Sequence, residues 1–213
     1  MSTLWGRIST SGGALVVGGL LIWAMAWAID FYGHLTGGAP VDASGHGGDA
    51  LVRVNFPLSG FPLIVLGGVL LLGGDRLLER GNTPRFAAGM LIALDGLAHA
   101  FAFNDHLGEP LWAALFAVIA PAQIALGLAL PYLDRSLDRW WVLGIMGLLV
   151  GYAVTRVVSV PALGFPEPVE ALGVFSKSTE AVALAVLGPR AMGAGASRRN
   201  PAAAEAGAPT GAK

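Results

Sequence analysis

Asp95, His99 and His106 stand in the stretch LDGLAHAFAFNDHLG, inside a run apolar enough to be buried in lipid. On a helix turning about 100° per residue, His99 lies about 40° and His106 about 20° from Asp95, so the three share one narrow face. A carboxylate and an imidazole one turn apart present two ligand atoms side by side. That donor set suits zinc, copper, iron or nickel, and copper or zinc is the expected ion. The plainer role for the same residues is hydrogen bonding between helices.

Other ionisable residues stand in apolar runs too. Asp30 and His34 repeat the one-turn spacing in AIDFYGHL, with Trp23 and Trp27 on the same face below them. Lys177 and Glu180 sit in VFSKSTEAV, roughly 12 and 17 Å along their own run. Arg156 falls in another run, and Gln123 falls near the middle of a fourth. Charges isolated in a bilayer are so unfavourable that they turn inward and mark functional sites by default. The expected metal set is therefore Asp95, His99, His106 and His34. Lys177, Glu180, Arg156 and Asp30 form a charged surround, either an ion-pair network fixing helix register or a ligand contact. These depths predict one polar cavity, opening outward, walled by the first, third, fifth and sixth apolar runs.

Asp30-x3-His34-x11-His46 resembles in spacing the Asp-x3-His-x12-His copper ligands of the membrane subunit of particulate methane and ammonia monooxygenases. The second gap is one residue shorter, and the resemblance extends to these residues alone, so it implies copper ligation at most and brings no activity with it. HExxH, GxSxG and P-loop patterns do not occur. A pair of haem-ligating histidines is disfavoured because His34 and His99 fall at different depths. A retinal site at Lys177 is disfavoured by the number of spans and by the residues around the lysine.

The elements that position these residues follow from composition. Hydrophobic residues make up 54% of the 213 and charged residues 13%, with a mean hydropathy of +0.65. Soluble domains carry about 25% charge. The apolar runs, at about 12–31, 58–74, 84–106, 111–133, 140–160 and 169–187, are each near the ~20 residues that cross a bilayer as helix. The expected fold is all-α: a polytopic membrane protein, a bundle of six transmembrane helices forming one domain over 1–192. A short flank with Arg7 before an apolar run is also how a signal peptide begins. The length of that run and the spans after it favour a retained anchor. Trp5, Trp112, Trp140 and Trp141 mark span ends, where indole rings favour the interface.

Orientation follows from the bases. With the N-terminus inside, ten of the 13 Lys and Arg residues fall on the cytoplasmic side: Arg7, Arg76, Arg80, Arg85, Arg135, Arg139, Arg190, Arg198, Arg199 and Lys213. Both termini are thus expected inside, in a prokaryotic inner membrane. The Ala/Gly-rich tail, 193–213, is expected to be disordered. The absence of cysteine excludes disulfides and thiolate chemistry, and a net charge of −1 gives no reason to expect nucleic acid. The expected partners are the lipid bilayer and other membrane subunits. The leading functional expectation is an outward-facing cavity holding a metal ion or small polar ligand. A non-catalytic accessory subunit and a small-solute or proton-coupled transporter are the alternatives.

Overall fold

The computed structural model describes residues 2–36, 51–79, 81–159 and 169–199. Among them there is helix and no strand. The long helices are α1 (Ser2–Thr36), α2 (Phe56–Leu72), α3 (Asn82–Asp105), α4 (Pro110–Ala129), α5 (Asp138–Val157) and α6 (Ala171–Arg199). All six are long and apolar enough to cross a membrane. A π-helical turn, Leu51–Asn55, leads into α2, and a 3-10 turn, Leu130–Tyr132, extends α4.

The helix ends follow local chemistry. Pro110 opens α4 at a position where a missing N–H is harmless. Gly73, at φ 74°, lets the chain leave α2. Asp134 accepts from the Ser136 N–H at 2.6 Å and starts the 3-10 turn before α5. Helix α6 continues to Arg199, beyond the end expected near 187, and runs through Pro189. Of the tail expected to be disordered, 200–213 lie outside the described residues.

Helix α3 is the hub. In its span 67% of the residues are buried, against 6% for α5 and 22–28% for the rest, because α1, α4 and α6 pack against it. It lies against α4 and α6, and more lightly against α1; α1 pairs with α2, and α5 with α6. Two seams rely on glycine. A Cβ on Gly19 would sit 2.6 Å from the Gly60 carbonyl oxygen, and one on Gly89 would sit 2.3 Å from that of Gly127. Backbones this close exclude any side chain, the packing that small residues permit between membrane helices. Gly12 and Gly19 face α2 in this way, whereas Gly13 and Gly18 face open space.

Polar pins complete the frame. The Trp23 indole donates to the Pro57 carbonyl at 3.3 Å and that of Trp27 to Ala100 at 3.0 Å, holding α1 to α2 and α3. Buried Arg85, one of the bases counted on the cytoplasmic side, donates to Asp138 at 3.1 Å and ties the start of α3 to the start of α5. Although α4 and α5 are consecutive, they hardly touch, and a cavity separates them.

Candidate functional site

One turn of α3 separates Asp95 from His99, placing His99 Nδ1 3.5 Å from Asp95 Oδ2. Helix α4 adds Gln123, whose Nε2 donates to Asp95 Oδ2 at 2.6 Å and whose Oε1 lies 2.6 Å from His99 Nδ1. An amide that gives its N–H to a carboxylate must show its oxygen to the ring. His99 therefore donates from Nδ1, and whenever the ring is neutral Nε2 keeps the lone pair.

Helix α6 supplies Glu180, with Lys177 one turn before it and Lys177 Nζ 2.5 Å from Glu180 Oε1. Ligand atoms of Asp95, His99 and Glu180 all lie within 4.8 Å of one another. The three are 1%, 6% and 2% exposed, respectively. Asp95 Oδ1 and Glu180 Oε2 meet no N–H or hydroxyl donor, and the two carboxyl groups lie close enough to share a proton. With both acids ionised and the ring neutral, Lys177 offsets only one of two negative charges in this buried group. A proton or a bound cation restores the balance.

The cluster meets a cavity of about 660 Å³ between α3, α4, α5 and α6. His99, His106, Phe116, Tyr152, Ser176 and Lys177 are among its walls, and Asp105, Glu109 and Glu170 line it at the end where α3 passes to α4. The Phe116 ring stacks on His99 at 5.6 Å and on Trp112 at 5.8 Å between centroids. Across from α4, the Tyr152 ring lies 4.4 Å from the Arg156 guanidinium carbon and 5.6 Å from Lys177 Nζ.

A second polar network joins α1, α2 and α3. Arg53 donates to Asp30 Oδ1 at 2.8 Å and to Asp105 Oδ1 at 2.6 Å. Asn104 donates to Asp30 Oδ2 at 2.7 Å, and His34 Nε2 lies 3.2 Å from Asp105 Oδ1. This arrangement matches each acid with a cation or an amide donor and fixes three helix ends.

The structure thus brings Asp95 and His99 together with Glu180, and through it with Lys177. His106 lines the same cavity with its Nδ1 on the Ala102 carbonyl at 2.8 Å, outside the three-residue group. Arg156 also lines the cavity. Asp30 and His34 belong to the second network, and His46 lies outside the described residues. The fourth wall is α4, where α1 was expected. The glycine seam seats α1 on α2, and Arg53 engages the acid at its polar end.

Sequence reasoning assigned no site role to Arg53, Asn104, Asp105, Tyr152 or Ser176, and noted Gln123 only as a mid-span amide. The available signals were an amide in the middle of a span and a lone arginine beside one. The chain matches no known protein family, no curated protein and no solved structure.

Proposed function

We propose that the chain is a multi-pass membrane protein, with both termini in the cytoplasm, that binds a transition-metal ion at Asp95, His99 and Glu180. The carrying observation is that two carboxylates and an imidazole bring ligand atoms within 4.8 Å of one another in a buried group. Gln123 acts as the outer partner that metal-bound histidines require on their other nitrogen. In the proposed orientation the cavity is reached from the non-cytoplasmic face, where Asp105 and Glu109 lie. Protein purified without chelator carries about one metal ion per chain, and His99→Ala and Glu180→Gln each lose it. Elemental analysis finding no metal in folded protein, even after zinc or copper is added, overturns the reading.

A second reading rests on the same charge balance. If a proton, and not a metal, fills the deficit, Asp95, Lys177 and Glu180 form a relay for a proton-coupled carrier. Metal-free protein in liposomes then shows proton-dependent flux, which Glu180→Gln abolishes.

A further inference from the structure

The cavity is shaped for something larger than an ion, and its walls say what kind. Helices α4 and α5 part along its length, so it opens sideways at the level of the spans. The sides of that opening are apolar: Leu115, Phe116 and Ile119 on α4, and Leu148 on α5. Gly147 and Gly151 keep the α5 side clear, since a Cβ at either would meet no atom within 4 Å. A molecule passing here comes from the bilayer and has an apolar part.

The interior asks for a hydrogen-bond acceptor. Ser176 is 4% exposed, and neither its Oγ nor the Tyr152 hydroxyl has a partner, although both residues line the cavity. Hydroxyls withdrawn from water in this way are unfavourable unless a ligand completes them. The matching head is not an anion, because each cation in the lining is engaged: Lys177 with Glu180, Arg53 with Asp30 and Asp105, and Arg156 over the Tyr152 ring, while Glu109 and Glu170 at the mouth repel negative charge. It is also flat. Phe116, stacked between His99 and Trp112, forms a row of rings on one side, and Tyr152 stands on the other.

We infer that the cavity takes a lipid-soluble ligand of the quinone class, its carbonyl accepting from Ser176 and Tyr152 and its tail leaving between α4 and α5. This goes beyond the metal site, and the two hydroxyls that hold the head are not ligands of the proposed ion.

The test is titration of the purified full chain in nanodiscs with decylubiquinone, followed by quenching of tryptophan fluorescence against empty-nanodisc and free-tryptophan controls. Saturable binding is expected. Gly151→Leu, which fills the opening, and the double variant Tyr152→Phe, Ser176→Ala, which removes both donors, each weaken it about ten-fold or more. Gly18→Leu, on the far side of α1 and equally free of neighbours, leaves it unchanged. Metal content, measured on the same samples, is unaffected by Gly151→Leu, so failure of either proposal shows separately. Non-saturable quenching overturns the inference, and so does equal binding by the Gly151 and Gly18 variants. Equal binding after loss of both hydroxyls overturns the assigned head contacts.

Discussion

His99 Nδ1 lies 2.6 Å from Gln123 Oε1, and that one contact decides which nitrogen of the ring can receive a ligand. Gln123 also donates to Asp95, so a single amide on α4 orients both polar residues of α3.

Replacing it is therefore informative. Gln123→Leu keeps the volume roughly and leaves a buried N–H and a buried carboxylate oxygen without partners, each worth about 1–3 kcal/mol. The variant is expected to melt at lower temperature in detergent. Its metal affinity is expected to fall about 10- to 100-fold, the usual consequence of removing the outer partner of a ligating histidine. A variant with unchanged melting and unchanged metal affinity would show that Gln123 does not organise the site.

The second network makes a separate prediction. The Asp30 side chain is 2% exposed and Arg53 holds it at 2.8 Å, so Arg53→Ala strands a buried carboxylate. Losing one partner of such a pair is destabilising by about 3–5 kcal/mol. Arg53→Lys is expected to lose less, retaining the charge but not the fork that reaches Asp30 and Asp105 together. Denaturation in mixed micelles ranks the three proteins, and an alanine variant as stable as the parent would remove this network's structural role.

The proposed orientation can be read directly because the chain has no cysteine of its own. Glu109→Cys, between α3 and α4, is expected to react with a membrane-impermeant maleimide in intact cells. Ser136→Cys, between α4 and α5, is expected to react only after lysis. The opposite pattern would reverse the bundle and place the cavity on the cytoplasmic side.

The spans themselves were legible, because about twenty apolar residues have few other fates. Their ends shifted by several residues, because a helix can continue past the apolar stretch that hydropathy marks; α1 reaches Thr36 and α6 reaches Arg199. Of the site, the pairing of Asp95 with His99 was legible, since it lies within one helix and periodicity fixes it. Glu180 was legible as a buried acid of the charged surround, but not as the third member of the Asp95–His99 group. Which residues meet across a seam depends on how each helix is rotated about its axis, and close backbone contacts such as Gly89 on Gly127 set that rotation. The role of Arg53 stayed hidden for the same reason. Its partners come from α1 and α3, and no local pattern announces them.

The position of Glu180 on α6 has a consequence for biogenesis. A ribosome delivers α3 and α4 well before α6, so Asp95 and His99 first find only the amide of Gln123. Their remaining neighbours, Glu180 and Lys177, emerge three helices after α3. The charged centre is thus closed from the C-terminal side, and a nascent chain halted before α6 would hold its two most polar α3 residues half-satisfied in the translocation machinery.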